Sequence, residues 1–347
     1  MKPLLISGIQ PSGKLHLGNY LGALKNFVDL QNSNKYACYF FIADLHSLTE
    51  PFTPKEKQRQ ILELTSDYLA AGLNPKKSVI FQQSQISAHS ELAWILNTLT
   101  PMGELRRMTQ FKDKTERHTK EPSDKLFHEF MRQKSDAGAE KVNVGLFTYP
   151  TLMAADILLY DAKFVPVGND QDQHLEFTRT LARKFNQNFG KTFVEPKSLH
   201  TETPRLMSVG NPSKKMSKSE PATCLFLDDS PETIKSKIMK AVTDSDKEIK
   251  YHPESKPAIS NLLKIYASLS EDGIPKLEKQ FHGKTYAEFK SSLAKLIVNH
   301  LAPYRQTKQN LKTNTSHLKT ILNSGSNLAR KISSKKISEV KKRIGLS

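Results

Sequence analysis

Short apolar runs and helical-period stretches alternate along the first third of the chain. Residues 3–9 form an uncharged, mostly apolar run that predicts a short buried strand, followed by the turn cluster Gln10-Pro11-Ser12-Gly13. From Leu15 the apolar positions Leu17, Leu21, Leu24 and Val28 recur at helical spacing. Residues 35–43 predict a second, aromatic-rich strand. Residues 54–72 place Ile61, Leu62, Thr65, Tyr68 and Leu69 on one helical face ending at Gly72, and residues 78–82 predict a third strand. Such alternation predicts an α/β fold with a doubly wound parallel sheet. Residues 113–141 break the pattern with a run of charged residues, a surface excursion. Globular character returns over 140–160, a further strand covers 164–167, and a helix covers 170–186. Beyond residue 230 strand signals stop and helices are predicted over 231–242, 257–269, 273–281 and 285–300, then an amphipathic tail. The expected organisation is a catalytic unit over 1–210, a mobile loop over 211–220, a helical domain over 221–325 and a basic helix or tail over 326–347.

Composition narrows the class. With 347 residues, two domains are the natural expectation, and 37% apolar residues suffice for buried cores. No apolar run reaches the ~18 residues of a membrane span, and the N-terminus lacks a signal-peptide pattern, so a cytoplasmic protein is expected. Cys38 and Cys224 have no CxxC spacing, which leaves no thiolate metal site or disulfide framework to expect. The formal net charge of +17 favours phosphate-rich partners, but solubility charge alone would also explain it, so a motif must decide.

Three constellations carry chemistry. Gln10-Pro11-Ser12-Gly13-Lys14-Leu15-His16-Leu17-Gly18-Asn19 follows a strand and opens a helix, where free N–H groups and the helix dipole favour phosphate. Gly18 permits close approach of a flat ring, and His16 can donate to phosphate oxygens; a Gly turn capping an ordinary helix is the alternative. Lys214-Lys215-Met216-Ser217-Lys218-Ser219 sets two ammonium groups beside small hydroxyl residues in a loop, suited to the charge that grows as pyrophosphate departs; a solvated Lys/Ser loop is the alternative. In 149–160, Asp156 sits in an otherwise apolar helix, where a carboxylate is costly without a donor. An indole N–H is such a donor; an ion pair with Arg or Lys is the other reading.

The first two constellations, in this order and about 200 residues apart, resemble the signatures of the class I aminoacyl-tRNA synthetases. That resemblance implies a Rossmann-like catalytic domain followed by an all-helical anticodon-binding domain. Asn19 stands where most members carry a second His, which resembles the tryptophan-specific branch of bacterial type. Carried over position by position, the resemblance assigns ATP binding to Gln10, Pro11, Ser12, His16, Gly18, Asn19, Gly168, Asn169, Asp170, Leu206, Lys215, Met216, Ser217, Lys218 and Ser219. Asn169 replaces the family's Glu in the ribose-binding triplet. Catalysis falls to Lys114, Lys215 and Lys218. Tryptophan would be held by Asp156, Met153, Tyr149, His46, Val165, Val167 and Gln171, with Leu45 where the family usually shows Gln. The implied reaction joins L-tryptophan to ATP, with Mg²⁺ bound to the nucleotide, and passes the acyl group to the terminal ribose of tRNA(Trp). No metal ligands are expected from the chain, and a homodimer is implied. A tyrosyl-tRNA synthetase with the same two signatures, or a non-catalytic RNA-binding relative, remains open at this point.

Overall fold

Five parallel strands form one sheet in the order β3-β2-β1-β4-β5, with β1 at Leu4–Ile9, β2 at Ala37–Ile42, β3 at Val79–Gln82, β4 at Phe164–Val167 and β5 at Lys197–His200. The computed structural model describes residues 2–109, 111, 112, 115, 143–168, 171–200, 206–246, 248–270 and 272–346. Leu4 to Ile9 pair in register with Ala37 to Ile42, and Leu5 pairs with Phe164 on the other side. The chain thus builds outward from β1 in one direction, then returns and builds in the other. The crevice at the carboxyl ends of β1 and β4 is where such a sheet binds ligands. The strand at 197–200 was not expected from the sequence; its run Lys-Ser-Leu-His carries no apolar signal because it forms a half-exposed edge.

Local chemistry explains where the helices begin. Thr53 caps helix Pro54–Ala70 by accepting from the Glu56 N–H, with Pro54 in the first turn. Thr285 and Glu288 form a reciprocal capping box at the start of helix Tyr286–Lys312. The helix expected from Leu15 is interrupted: Leu17–Asn19 and Lys25–Asn32 flank a π-helical turn at Tyr20–Leu24.

Two apolar clusters cover the two faces of the sheet. One joins β1–β3 to helices 17–32 and 54–70 and runs without a break into helices Pro231–Met239, Pro257–Ser270 and Tyr286–Lys312. The other packs helices Ala88–Leu99, Val144–Leu158 and Asp172–Phe189 on the opposite face. The terminal basic segment belongs to helix Thr315–Arg343, which contributes to both clusters. It wraps the exposed edge at β3: Ser326 Oγ accepts from the Gln82 N–H at 3.4 Å, and Gly325 lies against the Ile80 carbonyl, where an added Cβ would stand 1.9 Å from the oxygen. A sheet edge needs such a cover, and only glycine admits so close an approach.

A buried polar cluster joins the two regions. Lys308 forms ion pairs with Asp67 and Asp228, and Tyr304 Oη donates to Asp67 at 2.5 Å. Burial alone would lower the Lys308 ammonium, but the two carboxylates outweigh it and raise it.

Candidate functional site

The first turn is held from below by a tyrosine. Fully buried Tyr68 accepts from the Ile9 N–H and donates to the Phe41 carbonyl, both at 3.0 Å, pinning the ends of β1 and β2 where the 10–19 turn leaves the sheet. Gly13 then takes φ +87°, a conformation that favours glycine. His16 caps the short helix: its Nδ1 accepts from the Asn19 N–H, and the Asn19 Oδ1 accepts from the His16 N–H, both at 3.2 Å. Asn at position 19 therefore completes a reciprocal cap. Because Nδ1 is an acceptor, a neutral His16 carries its proton on Nε2, a donor available to a phosphate oxygen. Burial, then the charges of Lys218 and Lys215, lower its pKa from 6.5 to about 4, so the ring stays neutral near pH 7.

The lysine loop folds onto this turn. Met207 and Lys215 form an antiparallel bridge, and the Met216 N–H donates to the Leu206 carbonyl at 3.2 Å, with both side chains of that pair buried. Lys218 Nζ donates to the Ser12 carbonyl at 3.1 Å, the Ser12 hydroxyl at 3.2 Å and the Gly13 carbonyl at 3.3 Å. Ser217 and Ser219 share a hydrogen bond at 2.8 Å. Residues 206 in sequence apart thus meet at one turn, with three oxygens around the Lys218 ammonium. Lys215 is exposed, near enough to His16 for its charge to act there.

Asp156 is buried on helix Val144–Leu158 with an environment the sequence did not foretell. Its Oδ2 accepts from His46 Nε2 at 2.9 Å, and its Oδ1 accepts from Gln83 Nε2 at 2.7 Å and His89 Nδ1 at 2.6 Å. No Arg or Lys pairs with it among the described residues. Burial alone would raise this carboxyl, but the hydrogen bonds from His46 and His89 outweigh it and lower it, so Asp156 is an anion. Tyr149 donates or accepts at His174 Nε2, 2.6 Å away, and its ring meets His46 edge-on with centroids 6.0 Å apart. Tyr149, Val165 and Val167 share one buried cluster, with Met153 half-buried against it. Gly168 and Gln171 close the next turn through the Gln171 N–H to the Gly168 carbonyl at 2.9 Å.

The structure therefore gathers Gln10, Pro11, Ser12, His16, Gly18, Asn19 and the 215–219 loop at one end of β1, and His46 with Asp156 at another part of the same sheet edge. Lys114, Asn169, Asp170 and nearly all of the 113–141 excursion lie outside the described residues. A cavity of about 350 Å³ lies between the 45–49 turn and helices 88–99 and 144–158. It shares only His46 and Tyr149 with the expected amino-acid slot, so it adjoins that slot and does not coincide with it.

Sequence reasoning missed Gln83 and His89. Both follow β3 at its carboxyl end, and that position was the one signal that could have found them. Gln83 is fixed from both ends, since its Oε1 accepts from the Leu45 N–H at 3.1 Å. At Leu45, where the resemblance leads one to expect Gln, the backbone supplies this contact. Asp44 locks the neighbouring turn by accepting from Gln82 Nε2 at 2.7 Å and from the Ser84 N–H at 2.9 Å.

The family model described as "tRNA synthetases class I (W and Y)" matches residues 2–302. A tryptophan–tRNA ligase of Caldanaerobacter subterraneus is 44% identical over 345 residues, covering 99% of this chain and 98% of that protein. Among solved structures, tryptophanyl-tRNA synthetase from Mycoplasma pneumoniae superposes with a TM-score of 0.86 at 34% identity, covering 100% of this chain and 99% of the other. The Campylobacter jejuni tryptophanyl-tRNA synthetase, complexed with ADP and tryptophan, superposes with a TM-score of 0.79 at 35% identity, with 99% of each chain covered.

Proposed function

The chain belongs to the class I tRNA synthetases of the tryptophan and tyrosine family, and from that membership we infer that it is a tryptophan–tRNA ligase. It activates L-tryptophan with ATP and transfers the aminoacyl group to tRNA. The observation that carries the amino-acid assignment is full-length identity of 44% to a tryptophan–tRNA ligase. Asp156, ionised and with no Lys or Arg partner among the described residues, supports it: an indole N–H is a donor with no acceptor role and suits a carboxylate.

The substrate carboxylate attacks the α-phosphorus of ATP, the bond to the bridging oxygen breaks, and pyrophosphate leaves with the electron pair. No protein nucleophile is needed, so catalysis is positioning and charge stabilisation. His16 Nε2–H holds phosphate. Lys218 exchanges the Ser12 and Gly13 oxygens for phosphate oxygens, and Lys215 and Lys114 add charge to the departing pyrophosphate, whose Mg²⁺ arrives with the nucleotide. Gly168, Asn169 and Asp170 take the ribose, and Leu206 and Met216 frame the base. A ribose hydroxyl of the tRNA end then attacks the carbonyl carbon and AMP leaves. The helices beyond 230 read the tRNA, a second copy completes a homodimer, and the protein works in the cytoplasm; no helix among the described residues is long and apolar enough to cross a membrane.

Amino-acid-dependent ATP–pyrophosphate exchange tests this reading. Exchange is expected with tryptophan and at least ~10²-fold weaker with tyrosine. Comparable exchange with tyrosine would overturn it.

A further inference from the structure

The Asp156 cluster holds more polar groups than one substrate contact requires. A carboxylate offers about four lone-pair positions. Among the described residues three are occupied, two on Oδ1 by Gln83 and His89 and one on Oδ2 by His46, so the position they leave is on Oδ2. His89 is itself held, with no exposed surface: its Nε2 lies 2.9 Å from the Tyr160 hydroxyl, and Tyr160 is buried too. With Nδ1 donating to Asp156, a neutral His89 must accept at Nε2, so Tyr160 donates and fixes the tautomer. We propose that His89, supported by Tyr160 and acting with Gln83, is a positioning residue that presets Asp156 to accept the indole N–H of the substrate. This rests on the reading of Asp156 as the group that contacts the indole.

Two physical consequences follow. Both imidazole N–H groups that face the carboxylate are committed to it, so the cluster offers an acceptor and no free imidazole donor. A ligand ending in a hydroxyl, which must both donate and accept, is served less well than one ending in a lone N–H. Second, the carboxylate must be ionised to accept. Burial opposes ionisation, and the hydrogen bonds of His46 and His89 overcome it. Loss of His89 removes one of those bonds and leaves burial in place, so protonation of Asp156 moves to higher pH. The titratable groups facing Asp156 are His46 from the 46–49 turn and His89 from the 88–99 helix, with Tyr160 one bond further.

Gln83 and His89 also tie the 83–85 turn and the 88–99 helix to the 144–158 helix, so a purely architectural role is the rival. The test measures pyrophosphate exchange by the full-length protein with tryptophan and with the analogue in which sulfur replaces the indole N–H, from pH 5.5 to 9. His89→Leu is expected to raise KM for tryptophan with little change in KM for ATP. It should cut the preference for tryptophan over the analogue at least ~10-fold and move the acid limb of kcat/KM to higher pH. His89→Asn, whose amide can replace the Nδ1 donor, should restore most of the preference, and Tyr160→Phe should fall between; these two carry the test if the leucine variant does not fold. A preference and acid limb that survive in His89→Leu, or equal losses toward tryptophan, analogue and ATP, would overturn the proposal in favour of packing. Asp156→Ala, which has no side-chain acceptor, separates the two layers: an unchanged preference there refutes the indole contact itself, whereas a lost preference there beside an intact one in His89→Leu refutes the positioning role alone.

Discussion

Replacing Lys218 with alanine removes a charge at the point where the 10–19 turn and the lysine loop meet. In the free protein its ammonium satisfies three oxygens of Ser12 and Gly13. A unit charge about 4 Å from a phosphate charge, at an effective dielectric near 20, interacts by ~4 kcal/mol. Only the part that grows as pyrophosphate departs accelerates the reaction. Loss of one preorganised donor of this kind commonly costs ~10²–10³ in kcat. Lys218→Ala should therefore lower kcat of tryptophan activation ~10²-fold or more, with KM for ATP rising less than ~10-fold, because the ground-state phosphate contact from His16 persists. Lys218 is also one of the two charges that depress His16, so the His16 pKa should move up toward 6.5 while burial, the larger cause, keeps it below. Pre-steady-state formation of the adenylate gives the chemical step, and proton NMR of the His16 ring gives the titration. An unchanged kcat with a raised KM for ATP would refute charge stabilisation in the transition state and leave Lys218 a binding role.

Other expectations follow from buried groups. His16 titrates near 4 folded and near 6.5 unfolded, so the unfolded chain binds more protons in that window. Stability from this group, roughly 3 kcal/mol in full, should be present above pH 6.5 and lost as pH falls toward 4; a denaturant midpoint no more acid-sensitive than that of His16→Gln would contradict this. Gly325→Val must push helix 315–343 off the Ile80 carbonyl, costing about 2 kcal/mol or more; a thermal melt at the unsubstituted temperature would show that the terminal helix is dispensable. Lys308→Met strands Asp67 and Asp228 and should destabilise by about 3–5 kcal/mol, with partial recovery on adding Asp67→Asn; additive losses would mean that the ion pairs contribute nothing. Aminoacylation should weaken steeply between 50 and 200 mM salt while tryptophan activation changes little, and equal salt slopes would remove the case for phosphate contacts by the exposed lysines.

The N-terminal strands, the turn over 10–19, the lysine-rich loop and the all-helical character beyond 230 were legible because each rests on local pattern: apolar runs, Gly-Pro punctuation, helical period, and a string of specific residues. Even the Asn19 departure has a local explanation, the reciprocal cap with His16. What tertiary structure decided was non-local pairing. The basic charge of the final segment predicts a phosphate-facing surface, yet Lys336 is bonded to Asp161, Glu339 and the Thr192 carbonyl, Lys341 to Glu91, and Arg330 to the Gln85 carbonyl. Residues that read as a tail are partly a clamp on the sheet edge. Nor could composition show that the helical region shares one apolar cluster with β1–β3. Cutting after residue 230 would open that core, so loss of activity on truncation cannot isolate tRNA reading. For the same reason, Asp156 could be recognised as an expensive carboxylate in an apolar helix, but its partners come from residues 73 and 67 positions away, and from His46, 110 positions away. Periodicity records which face of an element is apolar; which polar groups meet across that face depends on how the strands order in the sheet, and no local pattern encodes that order.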